Sequence, residues 1–308
     1  MQWRGTGFPA VKPRFACVAA TFIGTYPRES SMDEPGKAPP HGPQRVAMAV
    51  RHVILILSGK GGVGKSTVAA NLAIALANRG HPTGLLDLDI HGPDIPKLLG
   101  VEEKHLLSYR KNTIEPVKVT DTLSVVSMAF LLPEKTSPVI WRGPMKMGVI
   151  RQFLEEVHWG SLDYLVVDLP PGTGDEALTI AQIAPNIAGA VVVTTPQAVA
   201  ILDISKAVRF AQEIGLRVMG IIENMSGLVC PHCGKEIEVF GSGGGEQAAR
   251  DLGVPFLGSI PLDPMMRKAG DVGRPFILRG PGTGPENPTW RQVDRVMENL
   301  IAAIEKAA

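Results

Sequence analysis

Three groups of residues in this chain have types and spacings suited to chemistry. The first is the run Ser58-Gly59-Lys60-Gly61-Gly62-Val63-Gly64-Lys65-Ser66-Thr67. Gly59, Gly64, Lys65 and Ser66 meet the spacing G-x-x-x-x-G-K-S, in which glycines let backbone N–H groups converge on phosphate oxygens. Lys65 is then set to reach the outer phosphates, and the Ser66 hydroxyl to sit on Mg²⁺. The second group is acidic: Asp87 and Asp89 close the run Thr83–Ile90, and Asp168 closes Leu162–Asp168. Carboxylates at the end of an apolar strand suit magnesium, its waters, or an attacking water. The third is Cys230-Pro-His-Cys233, two thiols spaced to share one metal or cluster.

The elements around these residues read as a scaffold for them. His52–Leu57 is an apolar run with β-branched residues, and Val68–Leu76 is an apolar helical run, so the glycine loop joins a buried strand to a helix N-terminus. Leu162–Asp168 reads as a strand buried on both faces, and Pro170-Pro-Gly-Thr-Gly174 behind it as a segment able to move when a γ-phosphate leaves. A strand is expected at Leu123–Met128 and a helix from Met147 to Val157 with Val149, Ile150, Phe153, Leu154 and Val157 in the core. Ala190–Thr194 is a further strand, with Thr195 as N-cap and Pro196 as the first residue of a helix that buries Ile201, Ile204, Val208 and Ala211. Val218–Ile222 and Pro255–Ile260 complete the strands, and Phe240–Glu246 is a glycine-rich helix entry. Residues 101–122 are polar and weakly patterned. Alternating strands and helices imply an α/β fold, a mostly parallel sheet flanked by helices on both faces, with sites at the carboxyl ends of the strands.

The second lysine of the loop, Lys60, could be a solvated side chain, yet Lys60-Gly-Gly-Val-Gly-Lys-Ser66 resembles the deviant phosphate loop of the MinD, ParA and Mrp ATPases. Further segments match the Mrp/ApbC iron–sulfur carriers: Ile90–Pro96, with His91 and Asp94 as departures; Trp141-Arg-Gly-Pro-Met145; Glu223-Asn-Met-Ser226; Cys-Pro-x-Cys-Gly; and Pro261-Leu-Asp263. The resemblance implies an ATPase in which Lys60 reaches the partner's nucleotide across a homodimer, a cation delivered in trans to the transferring phosphoryl group. It assigns water positioning to Asp89, an outer-sphere magnesium role to Asp87, and adenine reading to Asn224, whose carboxamide otherwise suits a turn cap. Arg142 fits a surface or an interface cation.

Two thiolates are half of a Cys₄ set, so a complete site needs a second subunit, and a symmetric dimer provides it. The same ligand arithmetic suits zinc; a thioredoxin-like pair belongs to a different fold, and inert cysteines sit poorly beside Pro, His and Gly. The resemblance implies a bridging [4Fe–4S] cluster held by Cys230 and Cys233, delivered to apo iron–sulfur proteins, with ATP and Mg²⁺ as the other ligands. The contrasting class is a positioning ATPase of the MinD/ParA type, a switch that binds membrane or DNA.

Composition bounds these readings. The 308 residues are 44% hydrophobic with a formal net charge of +1, so no bulk basic field argues for nucleic acid or anionic membrane. The three cysteines suit a reducing compartment such as the cytoplasm. The C-terminal segment from Thr289 carries balanced charge and an apolar face, which suits a packed helix better than a basic membrane anchor. Residues 1–48 lack periodicity and are expected to be a disordered or non-native extension, faintly resembling a transit peptide or lying upstream of a start at Met32 or Met48. Residues 49–308 are expected to form the ATPase domain, with the cysteine loop 230–233 embedded in it.

Overall fold

The computed structural model describes residues 45–90, 92–110, 113–131, 143–230, 233, 235–278 and 284–306. Strand β1 (Val50–Leu57) is buried continuously from Val53, as befits a strand covered on both faces. The glycine loop follows, then helix α1 (Lys65–Asn78), whose alanines and leucines are buried nearly all round. Strand β2 (Thr83–Asp87) ends before the expected Ile90, because the chain leaves the sheet at Asp87. After the short α2 (Ile95–Leu98), the weakly patterned stretch contains strands β3 (Leu107–Arg110), β4 (Thr113–Glu115) and β5 (Val117–Lys118). Then come β6 (Leu123–Ser127), a 3₁₀ turn at Met128–Leu131, α3 (Gly143–Glu155), β7 (Leu162–Asp168) and α4 (Asp175–Ile183). The second half contains β8 (Ile187–Thr194), α5 (Ala198–Glu213) and β9 (Val218–Asn224). A small hairpin follows, β10 (Leu228–Val229) with β11 (Glu236–Ile237), and then α6 (Gly244–Leu252), β12 (Phe256–Ile260), α7 (Pro264–Asp271) and α8 (Pro288–Glu305).

The main sheet runs β12-β9-β8-β1-β7-β2-β6-β5, parallel throughout except for the edge strand β5. From β1 the chain progresses toward β2 and β6, whereas from β7 it progresses toward β8, β9 and β12. Right-handed crossovers in opposite directions put the connecting helices on opposite faces of the sheet. Accordingly α1 packs with α2 and α8, while α5 packs with α6 and α3 with α4. The direction reverses beside β1, so the glycine loop emerges at the crevice where open α/β sheets bind ligands.

Several expected elements shift. α3 starts at Gly143 instead of Met147, and its predicted core residues are all buried, Phe153 completely. Thr195 and Pro196 precede α5 instead of opening it; Gln197 is its N-cap, and Thr195 is buried with its hydroxyl unpaired. Ile204, Val208 and Ala211 are buried as expected, and the Ile201 side chain lies outside the described part. α8 buries Val293, Val296, Met297, Leu300, Ile301 and Ile304 against the sheet. Residues 1–44 of the expected extension, with His91 and Trp141-Arg142, lie outside the described residues. Val46 is buried and its N–H donates to Ile183 O at 2.8 Å, so packing starts just before the expected boundary.

Candidate nucleotide site and cysteine hairpin

The glycine loop holds its shape through backbone geometry that side chains resist. Gly62 and Gly64 adopt φ of 78° and 81°, and a Cβ on Gly64 would lie 2.2 Å from the Asn224 amide nitrogen. Gly59 presses equally closely on the Asp203 backbone of α5. Gly64 is the N-cap of α1 and no side chain caps the helix, so its first N–H groups and the positive end of its dipole are left facing the loop. Ser58, Gly61, Gly62, Val63, Ser66 and Thr67 line a cavity of about 500 Å³ together with Lys60, Lys65, Asp89 and Asn224. Its lining also includes Pro261, Leu262, Met266 and Phe276, apolar surface of the kind a flat ring stacks on, beside the charged Asp263 and Arg267.

Register brings the acids together. Asp87 and Asp168 are direct partners on adjacent strands β2 and β7, and Asp87 also faces Ser127 on β6. Both carboxylates are fully buried. Lys65 Nζ donates to Asp168 Oδ1 at 2.5 Å, whereas Asp168 Oδ2 has no hydrogen-bond partner. Asp87 accepts from Ser127 Oγ at 2.7 Å and from the Asp89 N–H at 3.1 Å. Asp89, at the cavity edge, accepts from Gly92 N–H at 3.2 Å. Burial pushes the Asp87 carboxyl well above the usual carboxylate range, and the neighbouring Asp168 charge pushes it further. Burial also raises Asp168, against the pull of Lys65 and Ser66. Asp94, which lines the same cavity, is raised by burial and then by Asp89. One lysine thus faces several carboxylates, one oxygen of which is buried without a partner. Asp87 and Asp168, with that open oxygen, suit a hard divalent cation that would take most of its remaining ligands from outside the protein and whose charge would reverse these shifts.

Three contacts were not visible in the sequence. Lys60 Nζ donates to Gln197 Oε1 at 3.2 Å, a pairing across 137 residues that no local pattern signals. Asn224 donates from Nδ2 to Val63 O at 2.9 Å, so part of its amide is engaged by the loop's own backbone. Asn71 accepts from the Ile277 N–H at 2.8 Å and so fixes the segment leading from Phe276. A single amide in the otherwise apolar Val68–Leu76 run was the available signal for that last contact.

The cysteines lie apart from the cavity-lining residues, at the end of the β10–β11 hairpin. Cys230 is half-buried and its N–H donates to Lys235 O at 2.9 Å; Cys233 is exposed, and neither is in a disulfide. Pro231, His232 and Gly234 lie outside the described residues. Among the described residues no group of three or more His, Cys, Asp or Glu side chains is arranged to hold a metal ion within one chain. Val229, Ile237, Val239 and Phe240 of the same hairpin region are exposed. No described helix is long and apolar enough to cross a membrane.

Comparison with known proteins gives these features a context. A relative from Methanocaldococcus jannaschii named iron-sulfur cluster carrier protein is 55% identical over 229 residues, 74% of this chain and 79% of the relative. The human protein named cytosolic Fe-S cluster assembly factor NUBP2 is 49% identical over 258 residues, 82% of this chain and 93% of that one. Among solved structures, a nucleotide-binding protein from Archaeoglobus fulgidus in complex with ADP aligns with a TM-score of 0.63 at 39% identity, covering 73% of this chain and 88% of the other. MinD from Aquifex aeolicus shares the fold, with a TM-score of 0.54 at 20% identity over 82% of this chain and 97% of its own. Residues 49–301 match the family model described as ParA: NUBPL iron-transfer P-loop NTPase, and with phosphate loop, strand-end acids and topology in agreement, the chain belongs to that family.

Proposed function

We propose that this chain is an ATP-binding and ATP-hydrolysing carrier that holds a [4Fe–4S] cluster at a homodimer interface and passes it to apo iron–sulfur proteins of the cytoplasm. The observation that carries the reading is the cysteine pair. Two thiols at the end of one hairpin, one of them exposed, form half of a four-sulfur set in a protein whose relatives are named as cluster carriers. Twofold symmetry completes the set with the same two residues of a second copy.

The nucleotide chemistry follows from the cavity. The N–H groups of Gly59–Thr67 and the α1 dipole bind the phosphates, and Phe276 with its apolar neighbours takes the base, read in part by Asn224. Ser66, Asp87 and Asp168 would hold a magnesium ion, which when bound offsets charge on the phosphoryl oxygens. Asp168 Oδ2, buried without a partner, supports that assignment. Lys65 exchanges its ion pair with Asp168 for the outer phosphates. Asp89, at the cavity edge, orients the attacking water. Lys60 leaves Gln197 for the nucleotide of the partner protomer, so hydrolysis is coupled to dimer closure and is slow in the lone chain. Cluster loading and release are gated by that cycle.

The contrasting reading, a positioning ATPase acting on membrane or DNA, gains no support from the C-terminal helix. Its apolar face is spent on the core, with Leu300 and Ile304 fully buried. Anaerobic reconstitution with iron and sulfide tests the proposal. The wild type is expected to show cluster absorbance at about one cluster per two chains, and undiminished loading in Cys233→Ser would reject the ligand assignment.

A further inference from the structure

The two residues that end β9 face opposite ways, as successive strand residues must. Asn224 faces the phosphate loop, donating to Val63 O at 2.9 Å and crowding Gly64. Glu223 is fully buried on the other side, where its carboxylate gathers three donors. Oε1 accepts from Ser226 Oγ at 2.6 Å and from Gly243 N–H at 2.9 Å, and Oε2 accepts from Gly245 N–H at 2.5 Å. Ser226 opens the segment that carries the cysteine hairpin, and Gly243 closes it as the N-cap of α6. A single carboxylate therefore ties both ends of the cysteine segment together, and it caps the α6 N-terminus, whose N-cap Gly243 has no side chain to do so.

Little slack surrounds this knot. An added Cβ on Gly244 would lie 2.2 Å from Pro196 O, and one on Gly245 would lie 3.0 Å from the Glu223 Cβ. The segment's neck is pinned further by Gly227 N–H to Gly241 O at 3.2 Å and by Ser226 N–H to Ile260 O at 3.0 Å. A displacement of the Asn224 side chain by a reshaped phosphate loop has one rigid peptide to cross before it reaches the Glu223 carboxylate.

We infer that Glu223 is a positioning residue that sets the spacing and exposure of the two cysteines, and that the Glu223-Asn224 peptide makes this setting depend on the nucleotide. The inference rests on the reading of Cys230 and Cys233 as cargo ligands and of the glycine loop as the nucleotide site. It adds the physical link between them. Neither residue touches the cargo; Glu223 acts through the hairpin it closes.

The test uses the full chain, reduced and cluster-free, with Cys17→Ser as background so that only the paired thiols report. The rate of thiol modification by an aromatic disulfide reagent is measured without nucleotide and with a magnesium-bound, non-hydrolysable ATP analogue. The wild-type pair is expected to change rate by about fivefold or more on nucleotide binding, the lower range of an allosteric coupling. Glu223→Gln places an amide N–H₂ among N–H and O–H donors, so the ratio should collapse toward one while the analogue still binds. Ser226→Ala, which removes one of the three donors, should give an intermediate ratio. Hydrogen exchange at the Gly243 and Gly245 amides of the wild type, slowed by the analogue, reports the same link without any variant.

A wild-type ratio near one, or exchange at those amides indifferent to nucleotide, overturns the inference, as does a wild-type ratio preserved in Glu223→Gln. The cargo reading fails separately. A nucleotide-dependent thiol rate in a chain that never loads iron supports the link and sinks the cargo, whereas iron loading with thiols blind to nucleotide does the reverse.

Discussion

Replacing Lys65 tests the buried ion pair at the centre of the site. Lys65 is the cation bonded to Asp168, at 2.5 Å, with 6% and 0% of the two side chains exposed. At that distance and an effective dielectric of 20, the direct attraction is roughly 6–7 kcal/mol, most of it offset by the cost of desolvating both charges. Removing one partner is different, because the remaining carboxylate stays buried beside Asp87 with nothing to balance it. Lys65→Met, which keeps the aliphatic stem, is therefore expected to destabilise the nucleotide-free, magnesium-free protein by about 3–5 kcal/mol. For a domain of this size that lowers the melting temperature by on the order of 10 °C. Urea unfolding in the presence of a chelator is the assay, with Asp168→Asn and the double variant completing a cycle. The double variant should be more stable than Lys65→Met alone, since it no longer buries an unpaired charge. The sign of the pH dependence follows: the folded Asp168 carboxyl lies above its unfolded value and rises further without Lys65. The penalty is thus full above the folded value and fades as pH falls from there toward the unfolded value. A coupling energy under about 0.5 kcal/mol, or a penalty that grows on acidification, would show that the Lys65–Asp168 pair does not hold the site together.

Asp87→Asn should raise the stability of the protein at pH 7–8 in the presence of a chelator, because the Asp87 carboxyl is held well above its ordinary range by burial and by Asp168. That gain should shrink as pH falls toward the unfolded carboxyl's value, where the wild-type carboxyl is protonated in both states, and magnesium-dependent hydrolysis should fall in the same variant. Lys60→Ala is expected to retain nucleotide binding yet lose about a thousandfold in hydrolysis, measured as phosphate release at dimer-forming concentrations; full activity would end the trans-lysine assignment. Gly62→Ala should cost only the strain of its positive φ, about 1–2 kcal/mol, whereas Gly64→Ala should also abolish ADP binding, since its Cβ meets Asn224 at 2.2 Å. Calorimetric titration of the pair separates strain from collision.

The sequence was most legible where chemistry is local. The glycine loop could be recognised because its residue types and spacing are themselves the site, and Asp168 because an apolar run ended in an acid. The apolar faces of α3 and α8 were readable from their helical spacing, and their predicted residues are buried. Short strands such as β4 and β5 were not, since two or three residues cannot display a period. Thr195 and Pro196 carried a helix-start signal, but α5 begins at Ala198, where the preceding turn holds Gln197 beside Lys60. Contacts between distant segments left no trace at all. Lys60 meets Gln197 because β1 and β8, which precede them, are neighbours in the sheet, and Glu223 meets the α6 N-terminus because the cysteine segment folds back on itself between them.

Iron content measured together with molecular mass on anaerobically reconstituted protein decides whether two chains share one cluster. Cys230 and Cys233 are the cysteines among the described residues, so about four irons per two chains are expected in a species of dimer mass, lost in Cys233→Ser. A monomer carrying a complete four-iron cluster, or a Cys233→Ser protein that retains one, would contradict it.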